Sequence, residues 1–257
     1  MFECLYFESM KKLLLLAAMS VSTALTLRSQ TIVNTHDLMS PIDSIWATNI
    51  EIQGSVSTGN GVFTAFNSGV GLGRKLSSKS QVWALGGYNY ASESGNLIYQ
   101  TGFLNARYHY ALSTSKNLQF FYQRQFNSAL KINLRQLIGL NLGYTVSIRG
   151  YNLSSSIGIF DENETYTEEP FQHIQRLNLS LNMTKSVGDV EVNLTLYHQP
   201  SLQLLSDYRT LGELAIELPI NQSVNLEIES ALRYDSDPHL NLVPIDFSTL
   251  IGMSFNL

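Results

Sequence analysis

Apolar and polar side chains alternate with a period of two along most of this chain, most clearly where it ends. From Ile245 to Leu257 the odd positions carry Ile245, Phe247, Thr249, Ile251, Met253, Phe255 and Leu257. The even positions carry Asp246, Ser248, Leu250, Gly252, Ser254 and Asn256. One face is apolar and the other mostly polar, over more residues than an ordinary soluble strand uses. A tilted strand needs about 9–11 residues to cross a bilayer, and this one has them. Its backbone groups cannot stay unpaired in hydrocarbon, so one spanning strand implies a closed barrel of them.

The same pattern recurs upstream. Trp46, Ile50, Ile52 and Val56 share a face opposite Asn49, Glu51, Gln53 and Ser55, and Asn60-Gly61 is a strong hairpin signal after them. Further strands are expected over 62–73, 81–91, 97–112, 118–126, 134–146, 149–160, 176–183, 190–197, 209–218 and 224–234. The sixth is the clearest, with Leu134, Ile138, Leu140, Leu142, Tyr144 and Val146 against Arg135, Gly139, Asn141 and Gly143. With the closing strand the chain predicts about twelve, an all-β, antiparallel up-and-down β-barrel over residues 44–257. Connections after the seventh, ninth and eleventh strands are long, and those after the second, fourth, eighth and tenth are short. Outer-membrane barrels show that alternation, with short turns and both termini in the periplasm.

Alternation alone leaves open which face looks outward. The polar face is mainly Asn, Ser, Gly and Gln with a few charges of both signs, a set suited to a hydrated interior rather than a water-facing exterior. Tyr90, Tyr108, Tyr110, Phe126, Tyr144, Phe160 and Tyr234 stand near strand ends, as interfacial aromatic girdles do. The alternative is a soluble secreted barrel with an apolar ligand inside.

Composition supports the membrane reading. Only 14% of residues are charged, against roughly 25% in an average soluble domain. Residues 1–29 read as a signal peptide, with Met10, Lys11 and Lys12 as its basic region and Leu13 to Val21 as its apolar one. Met10 is an alternative start. Residues 30–43 are expected as an irregular periplasmic lead-in. Cys4 precedes the apolar region, so no lipid anchor or disulfide is expected. Loss of residues 1–29 takes the formal charge from −5 to −6, which argues against nucleic acid as a partner.

Charges on the polar face fall into two sets. Glu191, Glu213, Glu217, Glu227 and Glu229 share the expected lumen with Arg107, Arg135, Arg176, Arg209 and Arg233. Charges withdrawn from water need partners, so these predict an Arg–Glu ladder that fills the lumen or a charged constriction that selects solutes. No spacing of metal ligands or cofactor motif accompanies them. His36, His109, His173, His198 and His239 lie in no nucleophile motif, which disfavours a lipid-modifying hydrolase. The acidic stretch Asp161 to Pro170 lacks calcium-loop spacing and is expected as a solvated outer loop.

Ser55-x-Ser57-x-Gly59-Asn60 at the first hairpin, Asn133-Leu134-Arg135-Gln136-x-x-Gly139 in the middle, and Tyr234-x-Ser236-x-Pro238 before Ile245-Asp246 resemble the salt-induced outer-membrane protein family, domain of unknown function 481. Ser55, Gly59 and Asn60 form its turn motif here. The resemblance implies a barrel in a Gram-negative outer membrane, of undefined activity and linked to envelope stress. The expected partners are outer-membrane lipids and the barrel-assembly machinery, with the chain a monomer and not an enzyme.

Overall fold

A computed structural model describes residues 32–35, 38–39, 42, 45–58, 61–167, 170–221, 224–239 and 242–255. The expected signal peptide, His36, Gly59, Asn60 and the last two residues lie outside them. Twelve antiparallel strands form one sheet in chain order: β1 (Trp46–Thr58), β2 (Val62–Lys75), β3 (Ser80–Glu93), β4 (Asn96–Ala111), β5 (Lys116–Asn127), β6 (Ile132–Ile148), β7 (Tyr151–Tyr166), β8 (Gln172–Val187), β9 (Val190–Pro200), β10 (Tyr208–Pro219), β11 (Val224–Asp235) and β12 (Ile245–Phe255). Glu51 of β1, Glu229 of β11 and Leu250 of β12 line one cavity. The sheet therefore curls until its first and last strands share an inside, and the fold is an up-and-down β-barrel.

Burial settles which face is outside. Ile50, Leu104 and Phe247 are 66%, 68% and 61% exposed, whereas Asn105, Asn141 and Thr195 on the opposite face are 3%, 4% and 6% exposed. A barrel dissolved in water would bury the first set and expose the second, so the apolar band is built for lipid. At one rim Arg74 lies over the Trp46 ring at 4.9 Å, and Lys185 caps Tyr151 with Nζ donating to its hydroxyl at 2.7 Å. Such amphipathic pairs suit the membrane–water interface. Phe160, expected in a girdle, is the exception. It falls in phase with Ser156 and Gly158, points inward, and is buried against Phe121 and Leu137.

The two ends differ. At the turn end, two-residue connections such as Arg149–Gly150 join β6 to β7, with φ of 48° and 78°. Two successive positive φ values match the twist of the flanking strands, so Arg149 belongs to the turn rather than to the strand expected to begin there. At the loop end, residues 167–171, 201–207 and 236–244 make longer connections. β7 runs on through Tyr166, six residues past the expected Phe160. The first half of the supposed acidic loop is therefore strand, paired with β6 and β8.

Candidate functional site

That extension builds the most highly charged part of the interior. Even positions of β7 face inward, so Glu162 and Glu164 follow Phe160 into the lumen. β6 and β8 bring Arg135 and Arg176 alongside, and Arg209 stands second in β10. Arg135 pairs with Glu162 and with Glu164, the latter at 3.0 Å. Arg176 Nε donates to Glu162 Oε2 at 2.6 Å, and its Nη1 and Nη2 fork onto Asp207 at 3.1 and 3.2 Å. Arg209 Nη1 donates to Glu162 at 2.8 Å and Glu164 at 2.9 Å, and its Nε donates to Asp235 at 3.0 Å. The Tyr166 hydroxyl donates to Glu164 at 2.6 Å. Three guanidinium groups thus share four carboxylates, and Arg135, Glu162 and Glu164 are buried. Buried charges are tolerated only with such mutual satisfaction, because each carries a desolvation cost of several kcal/mol.

The network has a roof and a floor. Above it two residues of the β11–β12 connection lie inward: the His239 ring stacks on Tyr166 at 3.8 Å and 11°, and Leu242 packs on Leu130, Ile132 and Tyr166. Below it lies the apolar cluster of Phe121, Leu137 and Phe160. Together they narrow the loop end.

Described residues of the lead-in also lie inside the barrel. Thr35 and Leu38 are buried. Arg107 Nη2 of β4 donates to Thr35 Oγ1 at 2.8 Å, and Asn34 Nδ2 donates to Glu213 Oε2 of β10 at 2.7 Å. Glu213 is held in turn by Arg233 Nη2 at 3.0 Å. Leu38 clusters with Trp83 and Leu85, and its carbonyl oxygen presses so closely on Gly71 that a Cβ there would overlap it. The described residues of the segment expected in the periplasm therefore form a strap that bridges two walls of the lumen. On one side of it lies a cavity of about 300 Å³ lined by β3 to β9, and on the other one of about 170 Å³ lined by Glu51, Glu213 and Glu229.

The ten charges picked out from the sequence all face inward, but they do not make one ladder. Arg135, Arg176 and Arg209 join the loop-end network, Arg233 holds Glu213, and Arg107 holds the strap. Glu191, Glu217 and Glu227 are cross-strand neighbours in a single row at the turn end, with Asn193 and Asn225 donating to Glu191 and Glu217. Their expected Arg partners are instead at the other end. Sequence reasoning missed Glu162, Glu164, Asp207, Asp235, Asn34 and Thr35. A signal did exist for two of them: Glu162 and Glu164 keep the phase of Ser156 and Gly158. The histidines stand apart, with His109 in the lumen, His173 bonded to Asn163 at 2.9 Å, His198 to Thr210 at 2.9 Å, and His239 in the roof. Among the described residues no group of His, Cys, Asp and Glu could hold a metal ion. Ser55 pairs with Ala65 in the first hairpin.

The NanC porin is similar in fold, with a TM-score of 0.50 and 10% identity over 83% of this chain and 100% of that one. The translocator domain of the autotransporter NalP from Neisseria meningitidis is more distant, at a TM-score of 0.46 and 12% identity over 82% and 87%. A Pseudomonas aeruginosa FadL homologue gives a TM-score of 0.38 and 9% identity over 84% and 74%. No curated protein matches the sequence. The profile of one family, described as a protein of unknown function, DUF481, matches residues 50–256, and the chain belongs to that family.

Proposed function

We propose that the protein is a narrow, non-enzymatic pore of a Gram-negative outer membrane for ions or small hydrophilic solutes, seen here in a closed state. The observation that carries this reading is the interior itself. Its wall of Asn, Gln, Ser, Thr and Gly encloses cavities of about 300 and 320 Å³ that reach up from the turn end and stop beneath the Arg135–Glu162–Arg209 network. A barrel with a purely supporting role has no need of a polar, partly empty lumen, since small barrels can fill theirs with side chains. In this reading the chain is a monomer whose partners are outer-membrane lipids and the barrel-assembly machinery, and its link to envelope stress follows from the family resemblance.

Planar-bilayer recording tests it. The full chain should give small, infrequent openings, and Glu164→Gln, which removes one charge beneath the roof, should make them more frequent. Silence from both proteins, with each shown to be inserted, would leave the second reading. In that reading the satisfied ion network and the His239 roof make a permanently shut barrel with a structural role.

A further inference from the structure

Inward charges are segregated around the barrel. The cavity of about 300 Å³ and the one of about 320 Å³ at the turn end share Gln81, His109, Asn117 and Thr145, so they form one lane. Among the described residues neither is lined by an Asp or Glu. Lys75, Lys79 and Lys116 border its mouth, and His109 and Arg107 follow deeper in. Serines and threonines of the β2–β3 and β4–β5 turns stand among the lysines and add neutral hydrogen-bonding groups. The carboxylates Glu51, Glu213 and Glu229 lie across the strap, in the other cavity. An even mixture of signs would suffice to solvate a lumen. Separation into a basic lane and an acidic one gives each a potential of its own, focused by the low-dielectric wall.

We propose that the basic lane is a binding path for small anions carrying carboxylate or phosphate groups, taken up at the turn-end mouth. Three ammonium groups around one opening attract such a solute, with no competing carboxylate among the described lining residues, and Arg107 continues the attraction inward. Each cavity meets the lower limit of small-molecule sites, about 300 Å³. The amide and hydroxyl wall provides hydrogen bonds to the rest of the solute. That the solute goes on through the barrel rests on the pore reading, but its binding does not.

The test uses the full chain in uncharged detergent, with citrate as the probe and sucrose as its uncharged counterpart, followed by calorimetry at low and high salt. Citrate should bind, more weakly as salt rises, and sucrose should not. Lys75→Gln/Lys79→Gln/Lys116→Gln should weaken citrate by at least about tenfold, while Lys131→Gln at the far end should leave it unchanged. The lysines are exposed, so the triple variant keeps the fold, which heat-modifiability on a gel checks. In bilayers, the reversal potential in a salt gradient should favour anions and move toward cations in the triple variant. Equal citrate binding by the wild-type and triple-variant proteins, or none by either, overturns the lane. Citrate binding that follows the lysines in a protein that passes no current keeps the lane and removes the pore. Cation-selective current without citrate binding does the reverse.

Discussion

Arg176 Nε lies 2.6 Å from Glu162 Oε2, with both side chains buried between β7 and β8. The pair is diagonal, since Arg176 stands opposite Phe160 and Glu162 opposite Ile174 in the register. Arg135 and Arg209 share the same carboxylate. Removing Arg176 therefore takes one of three cations from Glu162 and the guanidinium fork from Asp207. Arg176→Ala should cost roughly 3–5 kcal/mol, the penalty for breaking a buried ion pair from one side. Glu162→Gln should also destabilise, and the double variant should cost less than the two singles combined. Urea unfolding of the barrel in lipid vesicles measures all three, and simple additivity would mean that the two residues do not act as one network.

The strap is held at Thr35 by Arg107 and at Asn34 by Glu213. Thr35→Cys, placed in a Cys4→Ser background, should resist a membrane-impermeant maleimide in the folded barrel. Adding Arg107→Ala and Glu213→Gln should free the strap and make that thiol react at least several-fold faster, because local opening then needs fewer contacts to break. Rapid labelling with both holds intact would show that the segment does not reside in the lumen.

Gly71 supplies a separate test. A Cβ there would collide with the Leu38 carbonyl oxygen, a backbone atom that cannot rotate away, whereas a Cβ at Gly252 meets nothing within 4 Å. Gly71→Ala should expel the strap at Leu38 and raise Thr35→Cys labelling much as loss of both holds does. Gly252→Ala should change neither labelling nor stability by more than about 0.5 kcal/mol. Equal labelling of the two glycine variants would mean that the Leu38 contact does not seat the strap.

Strand number, order and facing follow from a period of two, because a residue's face depends only on its parity. Ile138 and Asn141 could be assigned to outside and inside on that basis. What the pattern could not settle was where a strand stops once polar residues occupy both faces. Outward Asp161 and Asn163 bond to Gln175 and His173 above the apolar band, so β7 there shows no hydrophobic contrast and reads as loop. The strap was hidden for another reason: Asn34, Thr35 and Leu38 form no repeating element, and their partners lie 179, 72 and about fifty residues away. Charge pairing failed in the same way. The sequence shows which residues face the lumen, but height along the barrel decides that Arg135 meets Glu164 and never reaches Glu217.

The outward face supports a depth-dependent prediction. Leu140 sits in the middle of β6, on the lipid side, and Asn141 beside it is buried inside. An arginine at the bilayer midplane of a barrel costs roughly 2–4 kcal/mol and about 0–1 kcal/mol near the interface. Leu140→Arg should therefore destabilise the barrel by the larger amount in lipid vesicles. Ile245→Arg, at the loop-end start of β12, should cost the smaller one. If this outward face met water instead of lipid, both substitutions would be nearly neutral. Urea titrations of the two variants in the same vesicles decide it: a large difference places Leu140 in hydrocarbon, and matching small costs would overturn the lipid-facing assignment of the whole apolar band.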